Sequence, residues 1–315
     1  MADCGNDLCF ENDCGYGRYS ILILGKENNS IDREDREMRV FLVVTSEQAL
    51  DDLIGAGYKN ILIAWENKKI IRKVASRNDI NLIIDSGAYT AWTKGSEVDL
   101  DEYINFSKEI QNNNNLNSLV IVNLDIIPGR FGSVPCKEDI EIASQEGWKN
   151  YEKMKGEGLE VMHLFHQHED IKWLNKLMKE KVDYIGISPA NDMSSKARLK
   201  WLKGVFSIVK DKKKTHGFGV TDIKILQEIP FFSADSSNWS TLARWGCSGI
   251  YDGKLGMRSV KYRKLKDALD MGLDHKALRD NSFLRKEMIK TIKGYLMIEK
   301  DITKLWVTRG VKWIR

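Results

Sequence analysis

The sequence predicts an α/β protein: a (β/α)8 barrel of the TIM type with a C-terminal basic helical extension. Three observations point there. Eight short apolar runs of β-type composition recur along the chain, alternating with stretches of helical periodicity. Three of those runs end in aspartate, at Asp85 (NLIID), Asp125 (LVIVNLD) and Asp235 (FFSAD). The competing fold, an open doubly wound sheet, would carry a G-x-G-x-x-G after its first strand, and none is present.

Taken in order, an N-terminal segment (1–38) holds a candidate strand or hairpin at YSILILG (19–25) and a polar linker, KENNSIDREDREM. The barrel is expected over 39–256. Its strands are RVFLVV (39–44), NILIAW (60–65), NLIIDS (81–86), LVIVNLD (119–125), VMHLFHQ (161–167), YIGIS (184–188), THGFGV (215–220) and FFSADS (231–236). Between them SEQALDDLIGAG, DLDEYINFSKEIQ, IEIASQEGWKNYEKMKGEG, DIKWLNKLMKEK and KARLKWLKGVFSIVK place apolar residues three and four apart, as amphipathic helices do. Several end in glycine just before the next strand, a common helix stop. QNNNNLNS (111–118) reads as a loop, and 257–315 as helices packed outside the barrel.

A chain of 315 residues, 42% hydrophobic and 30% charged, can bury one large core and is neither disordered nor membrane-spanning in composition. The start, MADCGNDLCFENDCG, lacks the basic and apolar regions of a signal peptide, so a cytoplasmic protein is expected. Of five cysteines, Cys4, Cys9 and Cys14 cluster in a spacing that matches no usual zinc knuckle. The net charge of +4 is uneven: from Met257 onward 16 Lys/Arg face 7 Asp/Glu. A basic tail on a mildly acidic body suits a polyanion such as nucleic acid, and equally a solvated helical surface.

An aspartate closing an apolar strand must be wet, paired or working. DSGAYTAW puts Asp85 before Ser86 and Gly87, which permit a tight turn; a helix N-cap would use the same residues. NLDIIPG puts Asp125 before a Pro-Gly loop, where it could equally anchor backbone N–H groups. In HLFHQHED, strand alternation points His166 and His168 one way and His163 and Gln167 the other, so the first pair could open a metal site. HGFGVTD ends the seventh strand in a Gly217-x-Gly219 turn, whose N–H groups could approach a phosphate or sugar. SADSSNWSTLARWG follows Asp235 with Arg244; an aspartate can attack an acetal carbon and an arginine can hold a phosphate.

In this order the segments resemble the tRNA-guanine transglycosylase superfamily. The resemblance covers about residues 39–250. Asp85-Ser86-Gly87 matches its Asp-Ser-Gly-Gly motif, with Ala88 replacing the second glycine. Asp125 matches the mid-barrel acid, Gln167 the glutamine and Gly186 the base-binding glycine. Gly217 and Gly219 match the glycine turn, and Asp235 with Arg244 the nucleophile segment. The family's cysteine-rich zinc site is missing, since no cysteine follows Cys247. With the basic tail, that departure looks more like the phage-type branch that places 7-deazaguanine derivatives in DNA.

The resemblance implies base exchange in DNA, with tRNA as the alternative polymer, a 7-deazaguanine base such as a queuosine precursor as second substrate, and no cofactor. It implies Asp235 as nucleophile and Asp85 as general acid and base. Ser86, Asp125, Gln167 and Gly186 would surround the base; Gly217, Gly219 and Arg244 would hold sugar and phosphate. Two readings of other classes stand beside it: a metal-dependent barrel hydrolase built on His166 and His168, and a non-catalytic nucleic-acid-binding barrel.

Overall fold

The computed structural model describes residues 37–129, 133–190, 192–244, 247–253, 256–261, 281–311 and 313. The candidate hairpin at 19–25 and the cluster of Cys4, Cys9 and Cys14 lie outside them. Nine parallel strands form one sheet that curls into a nearly closed, TIM-like barrel. In chain order these are β1 (Arg39–Val43), β2 (Asn60–Ala64), β3 (Asn81–Asp85), β4 (Ser118–Val122), β5 (Val161–Met162), β6 (Leu164–His166), β7 (Tyr184–Ser188), β8 (Lys214–Gly217) and β9 (Ser233–Ser236). Each overlaps one of the eight expected runs, although β4 and β8 stop three residues short of theirs and β9 starts two residues late, and VMHLFHQ supplies both β5 and β6, split at His163.

That split is where the ring comes together. β5 pairs with β4 (Ile121 opposite Val161), whereas β6 pairs with β7 (Leu164 opposite Gly186). His163 sits between, its carbonyl accepting from Gly186 N–H at 2.8 Å. On the far side β9 pairs with both β8 and β1, Phe41 standing opposite Asp235.

Strand alternation divides the core in two. Phe41, Leu62, Ile83, Val122, Met162 and Leu164 fill the barrel interior. Their neighbours in sequence, such as Leu42, Ile84, Ile121 and Phe165, face outward into the larger cluster beneath the helices. The helices are α1 (Glu47–Gly55), α2 (Lys68–Ala75), α3 (Ala88–Thr93), α4 (Leu100–Asn112), α5 (Lys137–Gly156), α6 (Ile171–Lys179), α7 (Ser195–Val209), α8 (Ile223–Glu228), α9 (Asn238–Arg244) and α10 (Asn281–Thr308). Local chemistry sets several boundaries. Ser46, Asp99 and Ser194 accept third-residue N–H groups at helix starts, and left-handed Gly57 and Gly158 follow helix ends. In 111–118, Asn114 caps α4 by donating to Ile110 and Gln111 carbonyls, and Ser118 already belongs to β4.

The C-terminal region departs from expectation. Cys247–Asp252 (β10) and Gly256–Lys261 (β11) form an antiparallel hairpin across the expected 256/257 boundary. YDGKLGM held the signal, a glycine-bearing turn between runs rich in β-type residues. Helix α10 is packed on the outside of the barrel. Arg285 pairs with Asp52 of α1 at 2.7 Å, and Trp306 Nε1 donates to the Leu226 carbonyl of α8 at 2.8 Å. Thr303 and Glu299 accept from Met38 and Val40 N–H groups at the start of β1. The helix therefore covers the seam between the last and first barrel strands.

Its anchor is the Glu299 carboxylate, whose Oε1 accepts from Val40 N–H (2.6 Å), Asn60 Nδ2 (2.8 Å) and Tyr58 OH (3.2 Å). Burial raises its pKa to about 7, against the opposing pull of those three donors. From Asn60 a side-chain ladder continues through Asn81 to Asn117 and Ser118, tying together the N-terminal ends of β2, β3 and β4. Among the described residues no helix is long and apolar enough to cross a membrane.

Candidate active site

The C-terminal ends of the strands bring Asp85, Asp125 and Asp235 to one mouth, the end where barrel enzymes place their chemistry. Asp85 ends β3 on the inward face, two residues after Ile83. Its Oδ2 accepts from Gly87 N–H at 3.1 Å. Gly87 has a φ of +72°, and a Cβ there would lie 2.6 Å from Glu66 Oε2, so only glycine fits this turn. Ala88 begins α3, where an alanine is unstrained. Burial, then the charge of Asp125, raise Asp85 to about 7 against the Gly87 hydrogen bond, and the charges of Asp235 and Glu66 push the same way. The early and late carboxylates thus sense one another across the mouth.

Asp125 stands just beyond β4. Ser86, almost fully buried, donates to its Oδ1 at 3.4 Å, and His166 Nε2 lies 3.0 Å from its Oδ2. Burial opposes a charge on His166, but the bond to Asp125 and the charges of Glu169 and Asp125 outweigh it and raise the imidazole to about 9. Glu169 also accepts from the His166 backbone N–H at 2.8 Å and is itself held by Ser144. The site therefore sets a buried imidazole beside the Asp125 carboxyl, with the neighbouring acids favouring its charged form.

The two-histidine metal face is not formed. Strand β6 ends at His166, so alternation stops there, and His168 stands exposed on the following turn. His163 faces outward, stacked on Tyr151 with ring centroids 4.9 Å apart. Burial, helped by the charge on His166, lowers its pKa to about 3. Among the described residues no group of three or more His, Cys, Asp or Glu is placed to hold a metal ion.

Gln167 is buried beside this pair, its Oε1 accepting from Ala190 N–H at 3.0 Å. Gly186 lies under the mouth. Its N–H is already given to the His163 carbonyl, and a Cβ would come within 2.8 Å of Phe218 and 2.9 Å of Leu164. Glycine is required there by packing, and its N–H has no spare capacity for a base.

Asp235 faces inward from β9, opposite Phe41. Its Oδ1 accepts from Gly219 N–H at 2.8 Å. Gly219 is left-handed (φ 62°), so the turn after β8 aims an amide at the carboxylate. The donor expected to meet phosphate or sugar is therefore occupied by Asp235. At Gly217 a Cβ would come within 3.0–3.1 Å of Phe231 and Val220, so packing also favours glycine there. Arg244 closes α9, but its side chain lies outside the described residues.

One functional neighbour escaped the sequence reading. His216, wholly buried on β8, places Nε2 3.3 Å from Asp235 Oδ1. Its Nδ1 contacts Ser233 Oγ at 2.5 Å, and Ser233 in turn meets the hydroxyl of Tyr184. Ser233 and Asp235 share the inner face of β9 as alternate residues, which is legible, but the register that sets His216 opposite Ser233 is not. No protein-family model and no curated protein matches the chain. The mouth itself holds a carboxyl with a raised pKa, an amide-held carboxylate, and an imidazole–carboxylate pair between hydrogen-bonding side chains.

Proposed function

We propose that the protein is a nucleic-acid guanine transglycosylase that exchanges guanine in DNA for a 7-deazaguanine base. Counting the broken fifth strand once, the scaffold is read as a (β/α)8 barrel. The observation that carries the proposal is the pairing of Asp85, at a pKa of about 7, with an inward, amide-held Asp235 in the same mouth. Two carboxyls with different environments are what displacement at a sugar carbon needs, one to attack and one to move a proton.

Asp235 attacks C1′ of the target nucleoside. The C1′–N bond breaks, its electron pair leaves with guanine, and Asp85 supplies a proton to the departing base. The sugar is then held as an ester of Asp235. The incoming base attacks C1′, gives its ring N–H proton to Asp85, and the ester's electron pair returns to the carboxylate. A carboxyl half-protonated near neutrality suits both halves.

Asp125 would accept from the base's N1–H and exocyclic amine, with Ser86 and Gln167 at its edges. A pocket that binds through such groups rejects adenine, because its own polar atoms would be left unpaired. The target nucleotide must be flipped out or already single-stranded to enter. Exposed Lys286, Lys290 and Lys293 on α10 would meet phosphates, with affinity falling as salt rises.

The test is covalent trapping. Protein incubated with guanine-containing DNA and then denatured should carry a DNA adduct, and Asp235→Asn should carry none. Exchange of labelled guanine into DNA supports the proposal; exchange confined to tRNA moves it to the other polymer; neither product, with no adduct, refutes it.

A further inference from the structure

We infer that His216 is a positioning residue for Asp235, holding Oδ1 so that Oδ2 attacks the sugar, and easing release of the carboxylate when the second base arrives. This inference rests on the transglycosylase reading and adds a residue to it.

The argument begins with the two oxygens of Asp235. Oδ1 faces Gly219 N–H at 2.8 Å and His216 Nε2 at 3.3 Å. Among the described residues nothing binds Oδ2, so it is the oxygen with a lone pair free for C1′. His216 Nε2 is buried and makes no well-aligned hydrogen bond of its own. Contacts that are long or bent in an empty site commonly tighten when substrate is bound.

The hydrogen-bond chain behind His216 orients its ring. Either hydroxyl of the Tyr184–Ser233 contact can donate; with Tyr184, whose buried phenol keeps its proton, as the donor, Ser233 is left to serve His216. The Ser233 proton then turns to His216 Nδ1. That leaves Nε2 as the protonated nitrogen, directed at Asp235. Phe41 and Phe218 pack edge-on around the ring at centroid distances of 5.9 and 4.5 Å, which holds its plane.

Gly219 N–H, and His216 Nε2 once its 3.3 Å contact tightens, favour the free carboxylate over its ester, because the negative charge accepts hydrogen bonds more strongly than a neutral carbonyl does. When Oδ2 bonds to C1′, Oδ1 becomes that carbonyl and the donors are under-used. When the second base attacks, the C1′–Oδ2 bond breaks and charge returns to a carboxylate already provided with donors. His216 therefore speeds the second half-reaction relative to the first, as a preorganised donor does for a leaving oxyanion.

The inference predicts an unusual phenotype. His216→Phe, which keeps the ring and loses the donor, should lengthen the lifetime of the covalent adduct about tenfold, the difference between a hydrogen bond to charge and one to a neutral oxygen. Overall turnover should fall and KM for DNA fall with it, leaving kcat/KM for DNA little changed, as when only the second half-reaction of a covalent exchange is slowed. His216→Gln, whose amide can place an N–H near the same point, should restore much of the release rate. Ser233→Ala, a smaller change, should shift the lifetime the same way through the ring's tautomer. A merely structural loss would lower adduct formation instead of prolonging the adduct. Imidazole nitrogen NMR of the native protein should show Nε2 protonated and Nδ1 bare; the opposite tautomer overturns the inference. So does an adduct that forms in His216→Phe and Ser233→Ala and decays at the native rate. Absence of any adduct in the native enzyme overturns the transglycosylase reading, and this inference with it.

Discussion

Replacing Asp85 by asparagine should make the protein more stable in alkaline solution while abolishing base exchange. In the fold the carboxyl titrates at about 7 rather than at its ordinary 3.8, chiefly through burial and then the Asp125 charge. A raised carboxyl favours folding while protonated. Its contribution is complete below pH 3.8 and is lost as pH climbs through 7. A displacement of that size corresponds to roughly 4 kcal/mol at about 1.4 kcal/mol per tenfold change in acidity. The mouth is open to water, which screens part of it, so roughly 2–4 kcal/mol is expected. The substituted amide cannot ionise and escapes the loss. Urea unfolding of both proteins from about pH 5 to about pH 9 should show the variant gaining on the native protein by roughly 1–3 kcal/mol, the rest of the loss falling between pH 3.8 and about pH 5. Parallel stability curves would mean that Asp85 ionises as an ordinary exposed acid, and the case for its proton transfer would fail. The same variant assayed for guanine exchange should be inactive at every pH.

Other outcomes follow from the same reasoning. Glu299→Ala should destabilise by roughly 3 kcal/mol in chemical denaturation, because the Val40 N–H and Asn60 amide lose their buried acceptor, whereas Glu299→Gln should cost less. Gly186→Ala should lower stability by roughly 1–3 kcal/mol through the clash with Phe218 and Leu164, measurable as a drop in Tm. His166→Gln should remove a contribution that the native protein has in full below pH 6.5 and loses as pH rises through about 9, so the two stability curves should converge in alkali. It should also weaken discrimination for guanine over adenine, read as the ratio of kcat/KM for the two bases.

The barrel was legible because its signal is local. Runs such as NLIID and YIGIS carry β-branched residues at strand length, and KARLKWLKGVFSIV carries a helical stripe, so strands and helices could be placed without long-range knowledge. The hairpin at Cys247–Lys261 was missed, and the partners of α10 were not specified, for different reasons. The hairpin's turn signal is present but was absorbed into a basic segment read by charge. The docking of α10 depends on Glu299, Trp306 and Arg285 meeting partners far away in sequence, which no local pattern announces. The site divides similarly. An aspartate ending an apolar strand stands out, so Asp85, Asp125 and Asp235 could be named. Their partners His166 and His216 are set by neighbouring strands.

Helix α10 has one more consequence, for how the molecule is made. A growing chain will have emitted every stave of the ring before it has synthesised the piece that shields the join between first and last. Until then the flank of β1 and β9 that Ile292, Tyr295, Ile298 and Ile302 help to bury is open to whatever greasy surface comes near. Completion of the ring therefore waits on the late arrival of its own clasp, and nascent chains stalled short of it should be the ones that chaperones retain.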